Sequence, residues 1–221
     1  MKNIKGTRLL NSVIFDMDGV VVDGMPYHIE SWQKALSTVG ISVTDLEIYL
    51  MEGMTGEETI KELTSKKNKF LSDESIRNVL KLKRKIFKDI FTVKLMKGSQ
   101  ELLLELQRLN YRLALVTGTR LEVVNKVLQM GLGGVFEIII TGEMVSNGKP
   151  DPEPYLKAVN ELNVDKESCL VVENAPAGIE SAKSAGLTCF AVQTSLPEEY
   201  LKSADKIFRS IDDLSAFLIK S

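Results

Sequence analysis

The chain has 221 residues, 44% hydrophobic and 26% charged, and Lys plus Arg (28) against Asp plus Glu (30) leave a formal charge of −2. With a mean hydropathy near zero this is ordinary globular usage, which excludes disordered and membrane-embedded classes and lacks the basic excess that a nucleic-acid partner requires. The length fits one large domain, or a core domain carrying a smaller one, with enough residues to bury a real core.

The opening apolar stretch is short and runs directly into two aspartates, unlike a signal peptide. No apolar run approaches the roughly 18 residues of a spanning helix, so a cytoplasmic protein is expected. The first strand signal is SVIF (12–15), followed at once by Asp16, Met17, Asp18 and Gly19. Two carboxylates at i and i+2 on a chain leaving a strand can be aimed into one crevice, and Gly19 permits the sharp turn that follows. Taken alone, the same residues also fit a solvated acidic turn. From about Tyr27 to Ile90 the pattern is almost purely helical: Trp32, Ala35, Leu36 and Val39 at three and four spacing, then GEETIKELTSKK, then SDESIRNVLKLKRKIFKDIF opened by Ser72. This stretch reads as an insert with hinges at 23–26 and 92–97, giving a core domain of 1–24 and 95–221 and a helical cap of 25–94. The lysines of KKNK (66–69) and KLKRK (81–85) lie within helical patterns and read as solvated faces.

After the insert, the helical SQELLLELQRL precedes a second strand, RLALV (112–116), which ends in Thr117, Gly118 and Thr119 ahead of the helix RLEVVNKVLQMG. Hydroxyls and free amides at a helix N-terminus make an anion site, although a threonine N-cap has the same look. FEIII (136–140) is the third strand, and Lys149 stands just before the helix DPEPYLKAVNEL. CLVV (169–172) gives way to Glu173, Asn174, Ala175 and Pro176, an acid and an amide oxygen of the hard type that Mg²⁺ accepts, with a proline opening the helical AGIESAKSAG. TCFAV (188–192) and a weaker KIF (206–208) complete the strands. Continuous apolar strands alternating with amphipathic helices predict an α/β fold, a doubly wound parallel sheet with its ligand crevice at the carboxyl ends of the strands.

His28 is the single histidine, so no histidine-cluster metal site can form and any histidine-based nucleophile device must pass through it. Cys169 and Cys189 adjoin apolar runs and read as buried thiols. The glycines from 142 to 148 before Lys149 have one residue too many for a Walker loop and lead to Pro150. Two aspartates, a glutamate, an asparagine, a hydroxyl-amide turn and a lysine at successive strand ends suit Mg²⁺-assisted phosphoryl transfer.

DMDGV, the threonine of LVTGT, the lysine of GKPDP and VVENAPAGIESAKSAG stand in the order and spacing of the four motifs of the haloacid dehalogenase superfamily. The whole chain resembles its β-phosphoglucomutase and phosphatase branch, a Rossmann-like core with a helical cap inserted after the first motif. The resemblance implies Asp16 as the nucleophile that forms an aspartyl-phosphate and Asp18 as the general acid and base. It implies Thr117 and Gly118 on the phosphoryl oxygens with Thr119 close by, and Lys149 bridging Asp16 and the phosphoryl group. Metal ligands would be the Asp16 side chain, the Asp18 carbonyl, Glu173 and Asn174.

The last metal position is often Asp in that family; Asn174 keeps a ligating oxygen but removes a negative charge. The sugar-phosphate mutases of the branch carry an arginine in the cap loop, where MEGMTGEET (51–59) has Gly56, and a cap without that guanidinium lacks the fork suited to a second phosphate. DGMPYH resembles the branch's hinge, whose histidine, here His28, approaches the general acid/base when the cap closes; a packed helix-start histidine is the alternative. Glu52, beside Gly53, fits a leaving-group filter. EGMTG also resembles the cap loop of some pyrophosphatase-like members, and Lys83 or Lys85 can supply charge for an anionic leaving group. The expected activity is that of a monomeric Mg²⁺-dependent phosphatase of a small phosphorylated metabolite, with pyrophosphate a candidate and a β-phosphoglucomutase-like mutase the runner-up. A phospho-aspartate signalling receiver shares the acid pair, Thr and Lys-Pro, but places its acceptor after the third strand and has no cap.

Overall fold

Six short apolar runs form one parallel sheet in the computed structural model, which describes residues 10–219. They are β1 (Ser12–Phe15), β2 (Arg112–Val116), β3 (Ile138–Ile140), β4 (Cys169–Glu173), β5 (Thr188–Val192) and β6 (Lys206–Phe208), in the order β3-β2-β1-β4-β5-β6. That order reverses direction at β1, and a doubly wound sheet opens its ligand crevice beside such a reversal. Phe15 pairs with Leu115 on one side and Val172 on the other, so the residues just past β1, β2 and β4 emerge level with one another.

Side chains alternate across a strand, and both faces of this sheet are apolar. Val13, Phe15, Leu113, Leu115, Leu170 and Val172 pack in one buried layer that includes residues of α5 (Ser99–Arg108), α6 (Leu121–Leu128) and α9 (Ile211–Ile219). Ile14, Ala114, Val116, Val171 and Cys189 pack in the other, with α7 (Glu153–Leu162) and α8 (Pro176–Ser184). This is why the strands read as continuous hydrophobic runs. Both cysteines are free and buried. The third strand begins two residues later than FEIII suggested: Phe136 is buried in the core instead, and Glu137 pairs with Arg112. The helix α9 gave no signal in the sequence pattern used above.

Between β1 and β2 lie α1 (Met25–Ser37), α2 (Asp45–Tyr49), α3 (Gly56–Lys66) and α4 (Asp73–Ile90). Thr44 with Glu47 and Thr55 with Glu58 form capping boxes at the starts of α2 and α3, and the Ser72 side chain accepts from Ser75 N at the start of α4. Met25, Ile29, Trp32, Leu36, Ile60, Leu63, Val79 and Leu80 form a separate buried cluster. The two connections to the sheet run side by side, with Asp23 N donating to Lys94 O at 2.8 Å and Met96 N to Val21 O at 2.9 Å. No helix among the described residues is long and apolar enough to cross a membrane.

Leu63 is fully buried in the helical cluster, so Leu63→Ala should lower unfolding free energy by about 2–5 kcal/mol. Urea denaturation checks this, and a loss well under that range would mean that the surrounding helices collapse into the space.

Candidate active site

The turn after β1 is built on one carbonyl: Met17 O accepts from the N–H groups of Val21 and Val22, and Gly19 N donates to Val22 O at 2.7 Å. This holds Asp16 and Asp18 at the sheet edge, 2% and 7% exposed. Lys149 arrives from the loop after β3, which Glu153 folds by accepting from Ser146 N at 2.7 Å and Asn147 N at 2.9 Å.

Lys149 is 1% exposed, and its Nζ donates to Asp16 Oδ1 at 2.5 Å, to Glu173 Oε1 at 2.8 Å and to Val116 O at 3.3 Å. Burial alone would push an ammonium toward the neutral form, but the two carboxylates outweigh it and raise its pKa, so it stays charged. Tyr155, fully buried on α7, donates its hydroxyl to Glu173 Oε1 at 2.7 Å and sets its ring 4.9 Å from the Lys149 ammonium. Burial and the neighbouring Glu173 charge push the phenol well up, so it remains a donor. The other Glu173 oxygen accepts from Asn174 N at 2.9 Å and Ala175 N at 3.3 Å. Such crowding needs Gly178 at the start of α8, where a Cβ would fall 1.7 Å from Glu173 Oε1.

On the cap side, Thr119 Oγ1 donates to Asp18 Oδ2 at 3.0 Å and His28 Nε2 lies 3.4 Å from Asp18 Oδ1. Lys83 Nζ is 2.9 Å from His28 Nδ1. An ammonium can only donate, so Nδ1 accepts and the ring's proton sits on Nε2, facing Asp18. Burial and the Lys83 charge lower the His28 pKa, in keeping with a neutral ring. Lys83 itself stands 4.8 Å from the Phe87 ring centre and 5.3 Å from that of Trp32, and burial lowers its pKa from 10.5 to about 8. Thr117 Oγ1 accepts from Thr119 N at 3.0 Å, shaping the turn past β2.

Asp16, Asp18, His28, Glu52, Gly53, Lys83 and the 117–119 turn line one cavity of about 660 Å³ between the helices and the sheet edge. Lys85 is exposed on its outer wall, while Lys149, Glu173 and Asn174 are buried to 1% or less beside it. The segment 52–58 touches the residues around the sheet edge directly. Glu58 Oε1 accepts from Gly148 N at 2.9 Å while its other oxygen completes the α3 capping box. Asn174 Nδ2 donates to Glu52 Oε1 at 2.8 Å and to Ser195 Oγ at 2.8 Å. Glu52 is 5% exposed, and burial pushes its carboxyl well up, with Asn174 pulling the other way and the charges of Asp16, Asp18 and Glu173 pushing further.

Every residue that the sequence offered for the site therefore lies at this edge or on the inserted helices and loops facing it. Tyr155, Ser195 and Glu58 were missed. Tyr155 ends the KPDPEPY run, and Ser195 follows the fifth strand just as the other polar residues follow theirs, so the same strand-end rule would have found it.

Among the described residues no trio of His, Cys, Asp or Glu is arranged to hold a metal. The chemistry of the pocket nonetheless fits a hard divalent cation. Asp16 Oδ2 and Asn174 Oδ1 are buried oxygens without a hydrogen-bond partner, and hard oxygen donors left unpaired in a dry site are what such a cation takes.

The fold and the site define an α/β enzyme with a polar cavity at the carboxyl edge of its sheet. The chain belongs to the haloacid dehalogenase-like hydrolase family, whose model matches residues 13–192, and it is an enzyme of that family's phosphatase type. It is 33% identical over 181 residues (80% of this chain, 82% of the relative) to the phosphorylated carbohydrates phosphatase of Thermotoga maritima. It is 29% identical over 202 residues (91% and 94%) to the validoxylamine A 7'-phosphate phosphatase of Streptomyces hygroscopicus subsp. limoneus. The crystal structure of β-phosphoglucomutase from Clostridium difficile superposes with a TM-score of 0.85 at 26% identity, covering 96% of each chain.

Below about pH 8 Lys83 is charged in both folded and unfolded chains; between about 8 and 10.5 the folded chain releases its proton first, so stability rises with pH across that window. Lys83→Met should therefore gain stability at neutral pH and lose that advantage as pH climbs through the same window. Urea denaturation at stepped pH checks it, and a pH-independent difference would mean that Lys83 titrates as an exposed lysine does.

Proposed function

We propose that this chain is a Mg²⁺-dependent phosphohydrolase of a small phosphorylated metabolite, working through an aspartyl-phosphate on Asp16, with residues 25–94 as a cap over the core of 1–24 and 95–221. The observation that carries the reading is the Asp16 carboxylate itself: one oxygen is held by the buried Lys149 ammonium and the other is buried and unpartnered beside the cavity.

In this mechanism an Asp16 oxygen attacks phosphorus while the bond from phosphorus to the leaving oxygen breaks; Asp18, whose pKa, against its burial, the His28 and Thr119 contacts lower, takes up a proton as substrate binds and gives it to that oxygen. Water then attacks the aspartyl-phosphate, Asp18 takes the proton back, and Asp16 is freed as phosphate leaves. Lys149 offsets charge on Asp16 and the phosphoryl oxygens, and the Thr117 hydroxyl and the Gly118 amide bind those oxygens, the Thr117 and Thr119 amides being spent on Ile140 O and Thr117 Oγ1. His28, with its Nε2 proton facing Asp18 and Lys83 behind it, steadies Asp18 through its change of protonation. The cation would be held by the Asp16 side chain, the Asp18 carbonyl and Asn174 Oδ1, with Glu173 contributing charge from behind Lys149. When bound, it supplies charge neutralisation at the phosphoryl oxygens.

The named activities of the Thermotoga and Streptomyces relatives support a phosphorylated carbohydrate or carbohydrate-like substrate. The acidic Glu52 and the EGMTG loop keep pyrophosphate as a candidate. The likeness to a β-phosphoglucomutase structure favours a second reading, a sugar phosphomutase; Gly56, packed against Leu80 in the loop where the mutases carry an arginine, speaks against it.

The test is Mg²⁺-dependent phosphate release over sugar phosphates, phosphoglycolate, nucleotides and pyrophosphate, ranked by kcat/KM. Asp16→Asn should abolish turnover on the best substrate, and activity within tenfold of wild type would sink the mechanism. Asp18→Ala should slow turnover by roughly 10² to 10⁴, and a smaller loss would remove it from proton transfer. Consumption of β-glucose 1-phosphate without phosphate release would move the mutase to first place.

A further inference from the structure

Asn174 is where the core's donor set meets the cap. A primary amide has two N–H donors and one acceptor oxygen. Both donors are spent, on Glu52 Oε1 and on Ser195 Oγ, each at 2.8 Å, while Oδ1 is buried with no partner. Exchanging oxygen and nitrogen would set the amide oxygen against a carboxylate oxygen and turn both N–H groups away from their acceptors, so the network selects one orientation. The cluster is tight: a Cβ on Gly19 would fall 2.1 Å from Asn174 Nδ2 and 2.8 Å from both Glu52 Oε1 and Ser195 Oγ.

We propose that Ser195 is a positioning residue for the metal site: by accepting one amide proton of Asn174 while Glu52 accepts the other, it holds Oδ1 toward the cation. The proposal rests on the metal reading given above. It also explains the amide at this position. A carboxylate at 174 would have two equivalent oxygens and need no clamp, but it would repel Glu52; an amide offers an oxygen to a cation and a proton to the cap carboxylate at once. Groups that orient a metal ligand from behind typically change affinity by 10- to 100-fold when removed.

Mn²⁺ serves as the probe, titrated by electron paramagnetic resonance against the substrate-free protein. Ser195→Ala should weaken Mn²⁺ binding by about tenfold or more with an unchanged melting temperature, and Ser195→Thr, which keeps the hydroxyl, should bind as wild type does. In an Asn174→Asp background, Ser195→Ala should alter affinity by less than about twofold, because the two changes are coupled and do not add: the clamp has lost its purpose. Wild-type affinity in Ser195→Ala, an equal loss in both backgrounds, or a loss matched by a fall in melting temperature would each overturn the proposal. If Asn174→Asp does not fold, the alanine and threonine variants decide alone. A wild-type protein that binds no Mn²⁺ would instead overturn the metal reading itself, a result visible before any Ser195 variant is made.

Discussion

An ammonium group sealed from water is tolerable only where anions and acceptors surround it, since the effective desolvation penalty is several kcal/mol. Lys149 is such a group, and the architecture around it follows from that requirement. Asp16 and Glu173 must stand level on neighbouring strands, which the β1–β4 pairing arranges. Glu173 in turn needs its remaining lone pairs filled, which the Tyr155 hydroxyl and two backbone amides do. The loop carrying Lys149 must be fixed, and Glu153 at the start of α7 fixes it. Sheet order, one helix and one loop are thus tied to a single buried charge, and removing either carboxylate would leave that charge with a single counterion.

The second theme is that charge reaches the cavity from two sides. Lys149 pairs with the carboxylates at the strand ends, and the helices between β1 and β2 bring both another carboxyl, Glu52, and another ammonium, Lys83. Asp18 is where the two influences meet, with a core threonine on one oxygen and a cap histidine near the other.

Much of this was legible in the sequence, and the reason is physical. A parallel sheet buried on both faces writes its strands as unbroken apolar runs, and chemistry in such a sheet belongs at the strand ends, so Asp16, Asp18, Thr117, Glu173 and Asn174 could be found by position. His28 came from the resemblance of the hinge to a family, because helical inserts carry no comparable rule; the lysines at 81–85 read as a solvated face, and Lys83 instead turns inward onto His28. Residues that act by touching distant groups were not legible: the Tyr155 hydroxyl and the second Glu58 oxygen matter only through partners 18 and 90 residues away, whereas Ser195 could have been found by its place past the fifth strand. The late start of β3 was hidden as well, since Phe136 is as apolar as the isoleucines after it and its place in the core, not its type, removes it from the strand.

Glu58 has a consequence for how such caps can be exchanged. One of its oxygens closes the first turn of α3 and the other accepts from Gly148, next to the lysine at the heart of the core. The cap loop and the lysine loop are thus stitched together by a single carboxylate that belongs to a helix cap. A foreign loop grafted between Glu52 and Glu58 without this carboxylate would lose both bonds at once and loosen the loop that carries Lys149. The segment 52–58 is in that sense a transferable cassette whose last residue must travel with it.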